Sequence, residues 1–468
     1  MYKNSLLIFS LVFLASCEVG PDYKRPKIDM PNLPDAKKET ADFIADKWWN
    51  VFTDSTLNNL EELALKHNRD LKQAVANVQI AAALAGVAFA DLLPSVGLSA
   101  KGDKNFASTQ TRTYAPGTSR NSSDYLATAG ISYEIDFFGK YRRANEAAGA
   151  ELLSAKAAKE IVLLSVTSEV AKAYFQLRAL DAKLAIVKRT LKTRQRTCDV
   201  YKSRFKNGYC TELDCLRVEA EKDSVNTVLL DLESALLKVE TALSVLIGAS
   251  PREMINRKTD TDLAIEKLRI PADVPGEIPS DILERRPDIM QAEGQLIAAN
   301  ARIGVAKAAY FPSLSLTGAF GFESKSLAKL FAGRSNMWNL GAGLSLPIFT
   351  GGKIKNLNRA AKADYAKMLA AYEKSIQTAF KETLDSLVAN RKSREIVLSR
   401  TRQVNALKKG YRIAKKQKES GLIGLLDLLD VERGLLSAEM ELVGALQNRL
   451  NAVVDLCKAL GGGWNRPL

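Results

Sequence analysis

The side chains that most often carry out chemistry are scarce in this sequence. Its 468 residues include a single histidine, His67, and five cysteines. One histidine excludes a multi-histidine metal site and makes histidine-dependent catalysis unexpected. GxSxG, Walker and GxGxxG motifs are absent from the sequence. We therefore predict that the protein is not an enzyme and binds no metal and no cofactor other than a covalent lipid.

Cys17 is the residue whose surroundings indicate a modification. An apolar run from Leu6 to Leu14 follows a basic residue, which is typical of a secretory signal peptide, and it is too short to span a bilayer. Ala15 and Ser16 then precede Cys17, as in the lipobox of bacterial lipoproteins. We predict a signal peptide over residues 1–16 and acylation of Cys17. The alternative is an ordinary signal peptide followed by a coincidental cysteine.

The remaining cysteines show neither a CxxC pair nor zinc-site spacing. They are Cys198, Cys210, Cys215 and Cys457. Buried thiols are the expectation for them. A disulfide between Cys210 and Cys215 is possible in an oxidising compartment, and the sequence leaves it open.

The chain repeats itself. With an offset of 218 residues Asp70 aligns with Asp288, and beyond the following hairpin the offset becomes 213, where Gly208 aligns with Gly421. Prolines are absent from 118–250 and from 348–466. An interior proline destabilises a helix by about 3 kcal/mol, so both stretches can form long helices. Each copy therefore predicts a helix of about 65 residues, roughly 100 Å long, followed by a shorter one. Leucines and valines with 4,3 spacing indicate coiled-coil packing.

Alternating strands precede each long helix. In the second copy Leu314, Leu316 and Phe320 alternate with small residues, and an outgoing strand follows. Such strands suit a membrane barrel, although a half-buried soluble sheet shows the same alternation. After the leader no stretch is expected to be apolar enough for a transmembrane helix. The two hairpins of one chain supply only four strands, whereas a membrane barrel needs at least eight. We therefore predict that three chains form a barrel of 12 strands.

The predicted organisation follows from these observations. The parts are a signal peptide (1–16), a lipid-anchored linker and equatorial segment (17–55), repeat 1 (56–248, with a hairpin at about 94–138 and helices at about 140–208 and 211–248), an equatorial linker (249–282), repeat 2 (283–461, with a hairpin at about 312–349 and helices at about 353–421 and 425–461) and a tail (462–468). The fold class is mostly α with a membrane β-barrel.

Several short motifs occur in order along the chain. They are Cys17 to Tyr23 followed by Arg25-Pro26, Trp48-Trp49, Leu283 to Ile289, Tyr310 to Leu314, and Pro347 to Phe349 with Gly351-Gly352. Together they resemble the motifs of the outer membrane factors of the TolC and OprM type, in the lipoprotein branch found in tripartite efflux systems. The resemblance covers essentially the whole chain. It implies a homotrimer with a barrel in the outer membrane and a helical tube in the periplasm.

The resemblance also implies partners. These are outer-membrane lipid, a periplasmic adaptor (membrane fusion) protein and an inner-membrane transporter, usually of the resistance-nodulation-division class, which supplies the energy. The expected function is a passive exit channel for small molecules or drugs. A type I protein-secretion channel shares the fold and stays an alternative. A second alternative is a periplasmic coiled-coil lipoprotein that does not span the membrane.

In such proteins the periplasmic ends of the helical hairpins close the tube. The turns at Gly208 and Gly421 mark these ends. We predict a hydrophobic constriction at Leu426, with Asp430 and Arg433 in polar links. The other candidate gate residues are Asp427, Leu213, Asp214 and Arg217.

Arg217 and Asp430 are equivalent in position and opposite in sign. We hypothesise that they tie neighbouring hairpins together, so that reversing Asp430 to Arg raises the single-channel conductance. Solvated charges at helix ends are the alternative, and exposed pairs contribute only about 0–1 kcal/mol.

Positive charge is concentrated in two equivalent stretches. The net charge is +14, whereas residues 181–206 alone carry +7 and residues 391–418 carry +10. Nucleic-acid binding is not expected, because aromatic stacking residues do not interleave with these charges and the chain is predicted to be exported. A solvated helix face is one interpretation, and a basic collar for an acidic adaptor or anionic cargo is the other.

Overall fold

The computed structural model describes residues 18–26, 47–110, 117, 119–249, 265, 268 and 286–462. The predicted signal peptide, Cys17 and most of the 249–282 linker lie outside these residues. The described chain divides into two units. We call them the sheet unit (residues 18–26, 78–155 and 292–372) and the helical unit (47–77, 156–291 and 373–462, where described).

The same series of elements occurs twice along the chain. The first copy comprises α1 (Ser55–His67), α2 (Arg69–Ala90), β1 (Ser95–Phe106), β2 (Asn121–Ile135), α3 (Lys140–Lys206) and α4 (Glu212–Leu246); the second comprises α5 (Pro287–Ala308), β3 (Ser313–Ser324), β4 (Asn336–Ser345), α6 (Lys353–Glu419) and α7 (Leu425–Ala459). The long helices α3 and α6 have 67 residues each, and α4 and α7 have 35 each. The mostly helical, duplicated fold matches the prediction.

The sheet unit contains one antiparallel sheet in the order β1-β2-β3-β4. β1 pairs with β2 from Ser95↔Ser132 to Phe106↔Asn121. The two copies join where β2 pairs with β3, from Tyr125↔Ser324 to Ile135↔Leu314. Within the described residues β1 and β4 each pair on one side only, and apolar side chains such as Leu98 and Leu340 are 86% and 79% exposed.

Below the strands, small residues let α3 and α5 approach closely. Ala147, Ala150, Ala298 and Ala301 form a buried cluster between these helices. A Cβ added at Gly294 would lie 3.0 Å from the carbonyl oxygen of Ala150. Larger side chains here would force the two helices apart, so small residues set their separation.

Aromatic residues form the core of the helical unit. Trp48 and Trp49, two of the residues that suggested the family, are only 3% and 2% exposed, and their rings meet edge to face at 5.9 Å. Phe52 packs against Phe175 of α3 with ring centroids 4.8 Å apart. Cys457 lies in the same cluster, where burial raises the pKa of its thiol to about 12. The two tryptophans therefore have a packing role.

Arg286, from another motif that suggested the family, is a buried structural ion-pair partner. Its guanidinium lies 2.8 Å from Asp288 and 2.6 Å from Glu382 of α6, and it donates to the carbonyl oxygen of Ala459 at 3.0 Å. These contacts join the start of α5 to the long helix and the end of the second copy. Because loss of Asp288 or Glu382 would remove an ionic partner of the buried Arg286 guanidinium, this motif has a structural role.

The expectation that no stretch is apolar enough to cross a membrane is wrong for α2. By length and composition Arg69–Ala90 is such a helix: its most apolar window has a mean hydropathy of 1.5 and is 6% buried. Eight of its 22 residues are alanine, and its charged residues cluster in the first turn. Alanine raises the mean hydropathy of a segment although it has no large apolar side chain. An apolar helix rich in alanine is therefore less apparent in the sequence than one rich in leucine.

Candidate functional site: the tips of the two helical hairpins

Two equivalent turns end the long helices. We call residues 207–217 the first tip and residues 420–430 the second tip. Gly208 and Gly421 adopt φ of +75° and +74°, a left-handed conformation that side chains with a Cβ disfavour. The amides of Tyr209 and Leu422 both close the preceding helix with 2.8 Å hydrogen bonds, to Arg204 and Gln417 respectively. The two copies therefore use the same helix-ending turn.

The two predicted gate aspartates cap the helices that follow. Thr211 is the N-cap of α4, and its hydroxyl donates to Asp214 at 2.8 Å while accepting from the Asp214 amide at 3.2 Å. In the second tip the N-cap is Gly424, whose amide donates to Asp427 at 2.9 Å. The structure thus places Asp214 and Asp427 in capping contacts within their own tips.

Most of the other predicted residues line one cavity between the copies. Its volume is about 670 Å³, and α4 and α7 form its walls. The lining residues are Arg217, Ala220, Glu221, Leu426, Asp427, Leu429, Asp430, Val431 and Arg433. Five predicted gate residues therefore meet here, and Leu213 and Asp214 lie elsewhere. We call this space the tip cavity.

Leu426 and its counterpart Leu213 are both apolar side chains left open at the tips. Each is 54% exposed, whereas the neighbouring Leu425 and Leu429 are buried against Cys198, Tyr201 and Val218. The second tip is thus packed onto the first copy through one face of α7. Leu426, on another face of α7, stays exposed.

The ion pairs across the tip cavity differ from the hypothesised one. Arg433 of α7 pairs with Glu221 of α4, and its guanidinium also lies 3.8 Å from Asp430 on its own helix. No ion pair joins Arg217 to Asp430 in the described part of the chain, and the Asp430 side chain is 82% exposed. The residue of the first copy that pairs with Arg433 is Glu221, which is not among the residues predicted from the sequence.

A buried ion pair between Arg194 and Glu432 lies further from the tips than the pair of Arg433 and Glu221. Arg194 of α3 is 1% exposed, and its guanidinium lies 2.8 Å from Glu432 of α7 and 4.0 Å from Glu221. Tyr411 of α6 also hydrogen-bonds Glu432. Burial raises the pKa of Glu432 above its ordinary value, and the charge of Arg194 opposes that rise.

Glu439, another acidic residue of α7, is shared by both basic stretches. It is 6% exposed and lies 2.7 Å from Arg189 and 3.1 Å from Lys408. Glu221, Glu432 and Glu439 with their basic partners Arg189, Arg194, Lys408 and Arg433 form what we call the inter-copy network. Part of each basic stretch therefore pairs with acidic residues of the neighbouring helices. The excess of positive charge on α3 and α6 was the signal that could have located these partners.

Near the amino terminus, the segment that follows Cys17 contacts the other parts of the sheet unit. The amide of Val19 donates to the carbonyl of Phe138 at 3.2 Å, and buried Arg143 lies 2.6 Å from Asp22 and 3.1 Å from Glu18. The main chain at Gly20 is so close to Gly304 that an added Cβ would lie 2.7 Å from the Gly304 Cα. Residues 18–22 thus have a defined path beside the start of α3.

Comparison with known proteins assigns this architecture. The outer membrane efflux protein family matches residues 60–249 and 278–462, one segment in each copy. The toluene efflux pump outer membrane protein TtgC of Pseudomonas putida is 33% identical over 99% of this chain and 96% of its own length. The probable outer membrane lipoprotein SilC of Salmonella typhimurium is 30% identical over 99% of this chain and 100% of its own.

Solved structures agree. The CmeC outer membrane channel of Campylobacter jejuni superposes with a TM-score of 0.90 at 29% identity, covering 96% of this chain and 95% of the channel. The chain belongs to the outer membrane efflux protein family. The resemblance to outer membrane factors is therefore confirmed, as is the function of an outer-membrane channel of a tripartite efflux system. A coiled-coil lipoprotein that never spans the membrane is excluded.

Proposed function

We propose that this chain forms a gated efflux duct whose aperture is held by the inter-copy network at the tips. The observation that carries the proposal is the meeting of both tips in one cavity, with Arg433 of the second copy paired to Glu221 of the first. The network ties the two hairpins of one chain, and Leu426 is left free to meet the equivalent residue of other chains as a hydrophobic constriction. Rupture of the network would let the second hairpin move.

Single-channel recording in planar bilayers tests the gate. Glu221→Gln removes the charge that faces Arg433 and is expected to raise the open probability. Glu219→Gln is the matched control, because Glu219 forms an exposed 3.0 Å pair with Lys202 inside the first copy. Equal recordings from both variants and the wild type would contradict the gate.

The assembled channel is a homotrimer. The sheet supports this proposal because β1 and β4 each have an unpaired edge within the described residues, and unpaired backbone groups are too costly in lipid. Pairing β4 of one chain with β1 of the next chain closes a barrel, and three chains give the 12 strands predicted from the sequence. After correction for detergent, the mass of the extracted protein should be three times that of one mature chain, which is the 51.2 kDa of the full sequence less the mass of the leader. A monomer or dimer would refute it.

A lipid on Cys17 anchors the chain to the outer membrane. The defined path of residues 18–22 along the sheet unit supports an anchor at this end, and the name of SilC describes that relative as a lipoprotein. Mass spectrometry of the mature protein should find Cys17 as an acylated first residue. An unmodified amino terminus elsewhere would contradict the anchor.

The partners are a periplasmic adaptor and an inner-membrane transporter of the resistance-nodulation-division class, and the cargo is small molecules or drugs. Relatives named for toluene and antibiotic efflux pumps support this class of cargo. Cross-linking in cells followed by purification of this chain should recover both partners. Recovery of neither would count against the assembly while leaving the channel itself intact.

A further inference from the structure

Two cysteines flank the start of α4 in the first tip. Because Thr211 is the N-cap, Cys210 precedes the cap and Cys215 is the fourth residue of the helix. Side chains at these two positions commonly pack against each other across the first turn, in the arrangement called a hydrophobic staple. Here the staple would consist of two thiols.

The second tip shows what this staple is like without cysteine. Its N-cap is Gly424, so the equivalent positions are Ile423 and Leu428, 213 residues further along. All four side chains are half-buried. Both tips therefore have the same staple positions, and only the first tip fills them with groups that can be oxidised.

The other described cysteines are poorly placed to react. Cys198 is completely buried beside the first tip, and burial raises the pKa of its thiol. Cys457 is buried in the core of the helical unit. Since the thiolate is the reactive form, burial slows thiol exchange at both positions. Cys210 and Cys215, which are partly exposed and lie on either side of the capped turn, are the residues an oxidant can reach.

We propose that Cys210 and Cys215 are an oxidation site, at which an intramolecular disulfide clamps the first tip. In the structure both are thiols, and the Cys210 sulfur donates a weak 3.5 Å hydrogen bond to the carbonyl of Tyr201. To form the disulfide, the Cys210 sulfur must leave the Tyr201 carbonyl and reach Cys215 at the other staple position. The proposal rests on export of the chain to the periplasm and is independent of the gate.

The oxidant is a protein disulfide of the periplasmic thiol-oxidase class. One cysteine thiolate attacks that disulfide, forms a mixed disulfide and releases one thiolate of the oxidant. The second cysteine thiolate then attacks the mixed disulfide, forms the Cys210–Cys215 bond and releases the other thiolate. The two protons lost by the cysteines pass to the released thiolates, so two electrons reduce the oxidant.

The bond spans the capping box of Thr211 and Asp214 and thereby fixes the first turn of α4, and Arg217 lies in the following turn. The second tip has only its apolar staple and a glycine cap. The oxidised first tip is therefore held more rigidly than the second tip.

Peptide mass spectrometry tests the bond. Cells are quenched in acid, the outer-membrane fraction is denatured without reductant, free thiols are blocked with N-ethylmaleimide, and trypsin is added. Cleavage after Lys206 and Arg217 releases one peptide with both cysteines, whereas Cys198 lies in the separate peptide 197–202. The expected 207–217 peptide is unblocked and two hydrogens lighter than the dithiol, and it accepts two maleimides after reduction.

Blocking of both cysteines before reduction, or a cross-link between 207–217 and 197–202, would overturn the proposal. Absence of the chain from the outer-membrane fraction would instead overturn the proposed location, so the two failures are distinguishable.

Hydrogen exchange tests the clamp with a matched variant. The double substitution Cys210→Ile and Cys215→Leu gives the first tip the staple of the second tip and keeps it apolar. Reductant is expected to accelerate amide exchange of residues 207–217 several-fold in the wild type, with no change in the double variant or in residues 420–430. Identical exchange in the wild type with and without reductant would refute the clamp.

Discussion

The first and second tips have the same backbone and different side chains. Gly208 and Gly421 differ by one degree in φ, and an aspartate caps the helix three residues after the N-cap in both. The staple changes from cysteines to Ile423 and Leu428, and Arg217 of one tip corresponds to Asp430 of the other. Residues that shape a turn are retained in both copies. Residues that face the other copy differ, because each meets a different surface.

The largest expected loss of stability comes from replacing buried Arg194 of the first copy by the residue found at the equivalent position of the second copy. Arg194 corresponds to Leu407, so Arg194→Leu copies the second sequence but leaves Glu432 buried without its cation. We expect a loss of about 3–5 kcal/mol, measured as a lower thermal midpoint in detergent. Arg196→Leu, on the exposed face of the same helix, is the control and should change stability by less than about 0.5 kcal/mol. An equal midpoint for the two variants would show that the buried pair is dispensable.

Alanine at the turn glycines should affect both tips alike. Gly208→Ala and Gly421→Ala each place a Cβ on left-handed backbone, at a cost of about 1–2 kcal/mol. Neither added Cβ meets another atom within 4 Å, so backbone conformation alone sets the cost. Thermal midpoints that fall for only one variant would break the equivalence of the turns.

Glu432 should contribute more to the stability of the folded chain in acid than near neutral pH. Its pKa is raised on folding, so between its ordinary value of 4.5 and the raised value the folded state binds the proton more strongly than the unfolded state. The contribution of Glu432 to stability therefore falls as pH rises through that window, by at most about 1.4 kcal/mol per pH unit. Thermal midpoints of the wild type and of Glu432→Gln are compared across this range, and the wild type should lose stability relative to the variant as pH rises. A difference that changes in the opposite direction would contradict the burial argument.

The N-caps should give the smallest effect. Thr211→Gly makes the first cap resemble Gly424 while leaving Asp214 able to accept from the cap amide. We expect a loss of only about 0.3 kcal/mol, visible as a small change in thermal midpoint, whereas Thr211→Ala should cost about 1 kcal/mol. A loss for Thr211→Gly that matches the loss for Thr211→Ala would show that the two caps are not interchangeable.

The sequence predicts the periodic and local features well. Absence of proline, together with Gly208 and Gly421, places the long helices to within about two residues of their ends. The tip turns follow from the same glycines. The position of a helix end depends on residues close to it in the chain, so it can be predicted from the sequence alone.

Contacts between the copies are harder to predict. Arg194 and Glu432 are 238 positions apart, and nothing local marks them as partners among the many charges of α3 and α7. The same holds for Glu221, which binds Arg433 in place of the expected link between Arg217 and Asp430. The charges of Asp214 and Asp427 suggest a gate, whereas their contacts show helix capping. Distinguishing these roles requires the tertiary approach of the two hairpins.

A charge swap across the tip cavity tests the central claim most directly. Glu221→Arg and Arg433→Glu each place like charges opposite one another, and single-channel recordings should show a higher open probability for both. The double variant restores an opposite pair in reversed order and should lower the open probability below that of either single variant, although the arginine introduced at position 221 still faces Arg194, which lies 4.0 Å from Glu221 in the wild type. Single variants that behave like the wild type, or a double variant that stays as open as the single ones, would contradict the account.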